Sequence, residues 1–263
     1  DENGEPTHIP YDQATYMDVF PDDKCENVRR EICLTLERMG IRPESSHHEQ
    51  GPGQNEIDFR YSDALTAADN AVTFRTVVKT IAAGNGLCAD FSPKPLPDQP
   101  GSGFHINMSV KGPGENRMHH MMGGILRHVS DMTRFLNPSP QSYNRLGAFK
   151  APKYISWSNN NRSMLIRIPA AAGEYRRVEL RSPDCTANPY LAFALLIWAG
   201  LDGIQNEIDL PEKANVNLYT AEPRDIGDME TLPLSLGAAI KRAEESEFIR
   251  AHLPESLIAC YKN

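Results

Sequence analysis

Apolar positions along this chain change period several times, and each change marks an element. Val28, Ile32 and Leu36 recur at helical spacing in a run that Gly40 stops, which predicts a helix over residues 24–39. Ile57, Phe59 and Tyr61 then alternate with Glu56, Asp58 and Arg60, as in the second arm of a hairpin whose corner is Pro52-Gly53. Asp63 stands at the N-cap position of a long helix that ends near residues 84–86. A strand is expected over 87–91, and a strict alternation predicts another over 104–110. A helix over 116–135 is expected to stop at Pro138 and Pro140, with a loop over 139–152. Strands over 153–158 and 163–168 flank Asn159-Asn160-Asn161-Arg162, and a third covers 177–181. Pro189 opens an apolar helix running to about residue 203, residues 207–232 read as irregular, and the remainder as helical. Hairpin-joined strands and long helices give an α+β fold with a curved, largely antiparallel sheet packed by long helices.

Composition narrows the function. The 263 residues carry a net charge of −8, which argues against a general binder of nucleic acid or of anionic membranes. The five cysteines are scattered, with no Cys-x-x-Cys, a pattern of reduced thiols in a cytoplasmic protein. The longest apolar run, residues 190–200, is too short to span a bilayer. The chain opens in a polar turn without an initiator Met and shows no secretory signal, so an excised or processed piece is expected.

The chemistry-bearing residues gather on strands. With a corner at Pro52-Gly53, Glu49 and Glu56 fall opposite each other, where two like charges repel unless a divalent cation sits between them or both point at water. Alternation over 104–110 sends Phe104, Ile106, Met108 and Val110 to one face and His105, Asn107 and Ser109 to the other. Glu179 and Arg181 share a polar face opposite Val178 and Leu180, with Arg162, Arg167, Arg176 and Arg177 nearby, as a local site for small anions requires. The Gly101-Ser102-Gly103 run allows close approach of backbone N–H groups to an anion, and equally describes a plain turn. No Walker-type or Rossmann-type glycine pattern is present.

Four ordered segments resemble the catalytic domain of bacterial type I glutamine synthetases across nearly the whole chain. They are His47-His48-Glu49 through Tyr61; Pro93-Lys94-Pro95 with Gly101-Ser102-Gly103-Phe104-His105; Ala151-Pro152 through Pro169; and Val178-Glu179-Leu180-Arg181 through Ile204. The resemblance implies one catalytic domain over residues 1–263, of guanido-kinase-like architecture and truncated at both ends. It implies an ATP-dependent ligase with two Mg²⁺ or Mn²⁺ sites, one held by Glu49 and Glu56 and the other by His105 and Glu179, all four converging on one cavity. Gly101, Arg145 and Arg181 are then expected to hold glutamate. Arg162, Arg167 and Arg177 are expected at the phosphates, and Glu44, Tyr61, Asn107 and Ser109 at the nucleotide. The implied reaction passes the ATP γ-phosphoryl group to the glutamate side chain and lets ammonia attack the acyl phosphate. Full-length relatives form dodecamers.

Three departures qualify the resemblance. The Glu-x-Glu strand and the small N-terminal β-domain of the family lie outside the chain, and Glu245-Ser246-Glu247 is not that motif, so the isolated chain is expected to be inactive. Lys150 stands where the catalytic flap of the family carries a glutamate that handles ammonium, and the flap is one residue shorter. Pro100 replaces an asparagine that contacts glutamate. Besides glutamine synthetase proper, a γ-glutamyl ligase for another amine and a non-catalytic family member remain open. Tyr219 matches a position that some members adenylylate.

Overall fold

The computed structural model describes residues 3, 5–112, 116–171 and 173–262, the side chain of Glu174 excepted. Residues 1, 2 and 4 of the expected opening turn lie outside them. The described chain forms two compact units, one of residues up to 91 with 95–101, the other of 92–94 with 102 onward.

The first unit packs two helices against a hairpin. Helix α1 (Glu26–Arg38) presents Ile32 and Leu36 inward; it ends as Gly40 takes φ +85° and Ile41 N–H reaches back to the Leu36 carbonyl. Strands β1 (Pro43–His48) and β2 (Asn55–Phe59) pair antiparallel. Helix α2 (Ala64–Gly84) starts where the Asp63 side chain accepts a bond from Thr66 N–H, as its N-cap position predicted. Ile32, Leu36, Ile41 and Val77 form the core, with Ile57, Phe59, Phe74 and Ile81 against it. At the other end the inner face of the hairpin is polar. There Arg29 of α1 donates to Asp23, Ser46 and Asn55, and His48 meets Asp12.

The second unit is a four-stranded sheet with helices. Its strands are β3 (Ile106–Met108), β4 (Trp157–Asn159), β5 (Ile166–Ile168) and β6 (Val178–Leu180), in spatial order β3-β6-β5-β4. The β3–β6 and β6–β5 pairs are antiparallel, while β5–β4 is parallel. Helix α3 (Arg117–Leu136) packs closely along α5 (Pro189–Gln205), which begins with Asn188 as side-chain cap and Pro189 in the first turn. Glycines make that closeness possible. A Cβ on Gly124 would overlap the Ala199 carbonyl, and one on Gly203 the His120 carbonyl. Met122, Ile125, Met132, Phe135, Ile166, Leu180 and Leu195 fill the core. The short helices α4 (Pro140–Arg145), α6 (Pro223–Ile226), α7 (Leu236–Glu245), α8 (Glu247–His252) and α9 (Glu255–Cys260) complete the unit.

Several expectations require correction. Residues 87–91 are not a strand: Leu87 N–H is spent on the Ala82 carbonyl in the α2 cap, and Phe91 packs edge-on to Phe74. The expected loop over 139–152 contains α4, because Ser139-Pro140 starts a capped helix after the prolines have ended α3. The strand over 104–110 narrows to β3, extended by a bridge between Gly103 and Asp184. On β6 the polar face is an interior one: Glu179 is buried along with Val178 and Leu180.

Candidate active site

The hairpin carries the first group of donors. The Gln54 N–H bonds to the Gly51 carbonyl at 2.9 Å, with Pro52 and Gly53 between them and Gly53 at φ +62°, the arrangement of a type II turn. Gln50 and Gly51 stand between that turn and the paired part of the first arm, so Glu49 N–H bonds to the Gln54 carbonyl and the arms pair His47 with Glu56 and His48 with Asn55. Glu49 faces Gln54, so the expectation that Glu49 lies opposite Glu56 is wrong by two residues. An even slip preserves the face. His47, Glu49 and Glu56 thus stand on one side of the hairpin, each half-buried, with one donor atom from each lying within 4.8 Å of the others. His47 Nε2 is 3.5 Å from Glu49 Oε1, and the Tyr16 ring meets the imidazole edge-on.

His48 points the other way. Its Nε2 lies 2.8 Å from Asp12 Oδ1, which also accepts from Gly53 N–H at 3.0 Å, while Asp12 Oδ2 accepts from Lys24 N–H. One buried carboxylate thereby ties together an arm of the hairpin, its turn and the start of α1. His48 Nδ1 is 2.6 Å from the carbonyl of Glu49 itself. Sequence reading missed Asp12, Asp23 and Arg29, all buried. Asp12 and Asp23 precede the first element read from the sequence, and Arg29 sits in an amphipathic helix whose exposed-type residues are ordinarily solvated.

The sheet of the second unit carries the other group. The register sets Asn107 opposite Glu179, and Glu179 opposite Arg167. The Glu179 carboxylate accepts from Arg167 Nε at 2.6 Å and from Arg181 Nη1 at 3.2 Å, and its Oε1 lies 3.4 Å from His105 Nδ1. Loss of solvent around the His105 ring, together with the positive charges of Arg181, Arg145, Arg167 and Arg162, pushes its pKa well below the usual histidine value. The imidazole is therefore neutral at physiological pH, the form that ligates metals.

Arg145, at the end of α4, is buried and already engaged: Nη1 donates to the Ser182 carbonyl at 2.7 Å and Nη2 to that of Arg181 at 3.2 Å. Burial lowers its pKa. Arg181 Nη2 donates to the Lys150 carbonyl, yet its buried Nε has no partner among the described residues. Gly103 lets both neighbours approach its backbone, since a Cβ there would lie 2.8 Å from Arg145 Nη2 and 2.9 Å from His105 Nε2.

The remaining expected residues are more exposed. Arg177 Nε donates to Asn107 Oδ1 at 3.0 Å, so these two phosphate and nucleotide candidates are joined. Ser109 is exposed just past β3. Glu44 is exposed on β1, and Tyr61 lies beneath the Arg60 guanidinium. The Gly101 carbonyl accepts from Gln54 Nε2 at 3.0 Å. Tyr219 donates its hydroxyl to the Arg162 carbonyl, and burial pushes its pKa up to about 12.

Comparison with known proteins agrees across the chain. The family model described as "Glutamine synthetase, catalytic domain" matches residues 2–263. The glutamine synthetase of Methanosarcina mazei is 45% identical over 277 residues, taking in 99% of this chain and 62% of that protein. That of Staphylococcus aureus is 45% identical over 269 residues, with 96% and 60% covered. Among solved structures, a GmaS–ADP complex superposes with a TM-score of 0.87 at 32% identity, covering 99% of this chain and 64% of that one. The glutamine synthetase of Plasmodium falciparum gives a TM-score of 0.82 at 25% identity, covering 95% and 60%. The chain thus spans less than two thirds of the length of these relatives.

Proposed function

Because the chain belongs to the glutamine synthetase catalytic-domain family, we propose that it is the catalytic portion of an ATP-dependent ligase joining ammonia to the side-chain carboxylate of glutamate. One observation carries the reading: a buried carboxylate, Glu179, shares its two oxygens among an imidazole and two guanidinium groups on adjacent strands. That is a large investment of charge for a structural sheet, and an ordinary one for a phosphoryl-transfer centre.

The donor chemistry fits divalent cations. Two carboxylates with an imidazole on the hairpin, and a neutral imidazole beside a carboxylate on the sheet, match ligand sets for Mn²⁺ or Mg²⁺. Bound metal and ATP supply the transferable phosphoryl group and neutralise its charge. This chain's residues do the rest. Glu49 and Glu56 present oxygens from one face of the hairpin, and His105 and Glu179 hold the second set of donors. Arg162, Arg167 and Arg177 present guanidinium groups to phosphate oxygens. Arg181 Nε, a buried donor in want of an acceptor, suits a substrate carboxylate. Arg145 braces the backbone that carries Arg181. Glu44, Tyr61, Asn107, Ser109 and Gly101 are assigned to nucleotide and glutamate. A cytoplasmic setting and a dodecameric assembly belong to the same reading. The described residues form no helix long and apolar enough to cross a membrane.

Lys150 favours a second reading, a γ-glutamyl ligase for a different amine, because a cation in the flap repels ammonium. Phosphate release by the complete gene product, measured with ATP, glutamate and ammonia and then with a panel of amines, separates the two. Release with ammonia that rises on Lys150→Glu supports the first reading. Release only with another amine replaces it with the second, and none with any amine removes both.

A further inference from the structure

Nothing in the proposed reaction uses Asn137 or Asp184, yet both sit behind the two arginines assigned to glutamate. The segment 181–184 leaves β6, and the ends of two helices converge on it. Arg145, at the end of α4, donates Nη1 to the Ser182 carbonyl at 2.7 Å. Asn137, just past α3, donates Nδ2 to the same carbonyl at 2.9 Å. A carbonyl oxygen has two lone pairs, and these two donors fill them. Asn137 Nδ2 also reaches Asp184 Oδ2 at 3.0 Å. The result is a continuous chain from carboxylate through amide and carbonyl to guanidinium. Asn137 and Asp184 are fully buried, and Ser182 and Arg145 nearly so. Burial disfavours the charge on Arg145, and Asp184 is the strongest of the charges that favour it.

Local sequence sets this up. Pro138 disfavours helical backbone at the residue before it. Asn137 accordingly leaves the helix at φ −137° and ψ 68°, while its N–H still bonds to the Thr133 carbonyl. Asp184 is tied to the same helix end, its N–H donating to the Leu136 carbonyl at 3.2 Å, and its Oδ1 accepts from Thr186 N–H at 2.9 Å. The position asks for a primary amide: a carboxylate at 137 would set oxygen against two oxygens, and a serine has one donor for two acceptors. We infer that Asn137 is a positioning residue for glutamate, fixing the backbone on which Arg145 and Arg181 meet and linking it to the Asp184 carboxylate. Without the amide, Asp184 Oδ2 and the Ser182 carbonyl each lose a donor, and the peptide that carries Arg181 is free to turn. The inference rests on the reading of Arg181 as a glutamate-binding residue, which the test examines separately.

The test is initial-rate kinetics of the complete gene product with ATP, glutamate and whichever amine supports phosphate release. Asn137→Ala should raise the glutamate KM about 10-fold, as loss of a buried hydrogen bond does, and leave the ATP KM within about twofold. A role in folding alone would lower the melting temperature and the amount of active enzyme and leave both KM values in place. Arg145→Lys should raise the glutamate KM as well. In the double variant the two effects should fall short of their product, because both act on one carbonyl. Asn137→Ser, which keeps one donor, should lie between the parent and the alanine variant, and it carries the test where the alanine variant does not fold. An unchanged glutamate KM in a folded Asn137 variant, or effects of Asn137→Ala and Arg145→Lys that multiply in full, overturns the inference while Arg181→Lys still raises the glutamate KM. A glutamate KM indifferent to Arg181→Lys removes the substrate reading itself and the inference with it.

Discussion

Asp12 Oδ1 lies 2.8 Å from His48 Nε2, and both side chains are fully buried. The contact does more than hold two groups together, because the same oxygen accepts the Gly53 N–H in the hairpin turn. Removing either partner leaves a buried polar group unsatisfied, at a cost of about 1–3 kcal/mol. Asp12→Ala should therefore lower stability by that amount in denaturant unfolding. It should also weaken Mn²⁺ binding at the hairpin, since the turn that aims Glu49 loses its anchor. A variant as stable as the parent, with unchanged binding, would show the clamp to be incidental.

Glu179 sets a second expectation. Its carboxylate compensates Arg167 and Arg181 in a buried setting. Truncating one member of such a cluster typically costs 3–5 kcal/mol, because charges are left unpaired; a value of about 3 kcal/mol is expected for Glu179→Ala. Glu179→Gln keeps the shape and loses the charge. It should fold better than the alanine variant yet leave the complete gene product without ligase turnover. Turnover near the parental rate would take Glu179 out of the reaction.

Gly103 offers a steric test. Gly103→Ala introduces a methyl group 2.8–2.9 Å from Arg145 and His105, and both must retreat. Crowding of this kind costs about 1–3 kcal/mol. Glutamate KM should rise several-fold if Arg145 braces the substrate-binding arginine, an outcome read directly from initial rates. An unchanged KM with lowered stability would restrict Arg145 to holding the fold.

A cluster far from these residues in sequence predicts a pH response. His128 of α3 lies 2.8 Å from Asp202 of α5 and stacks on Phe248 of α8. Burial alone would lower its pKa, but Asp131 and Asp202 outweigh it and hold the pKa above the usual value. A raised pKa stabilises the fold fully below about 6.5. That contribution fades as pH climbs through the folded-state value. Asp131, held low despite its burial by His128, Ser246 and Arg242, contributes in the opposite sense and is lost only in acid. The melting temperature should thus decline on the alkaline side of neutrality. His128→Gln should melt below the parent at pH 6, and the gap should narrow toward pH 9. A constant gap would mean that charge at His128 is irrelevant.

Much of the fold is legible along the chain where one local cause dominates. Asp63 before α2, Pro189 at the start of α5 and Gly40 after α1 each act within a few residues, and each behaves as read. Alternation likewise assigned the correct face to Glu49, Glu56, His105 and Glu179. What alternation could not supply was register. The corner falls at Pro52-Gly53 as expected, but Gln50 and Gly51 are left out of the pairing so that Glu49 meets Gln54, and a pattern of polar positions does not show such extra residues. The burial of Glu179 on β6 escaped the sequence for a related reason. Charges that neutralise one another can be buried, and their mutual pairing is invisible until the strands are laid side by side.

The two neighbouring histidines of β1 have a consequence for how this protein can change over time. His47 and His48 leave the backbone on opposite sides, one toward the carboxylates and one toward the interior. Substitutions along this arm alter one environment at a time and can be compensated singly. Gaining or losing a single codon between Pro43 and Glu49 would exchange the two sides at once, turning the carboxylate-facing histidine into the core and the anchoring one outward. Drift at this hairpin should therefore run through replacements of constant length, while insertions and deletions accumulate in stretches of the chain where no strand alternation has to be kept.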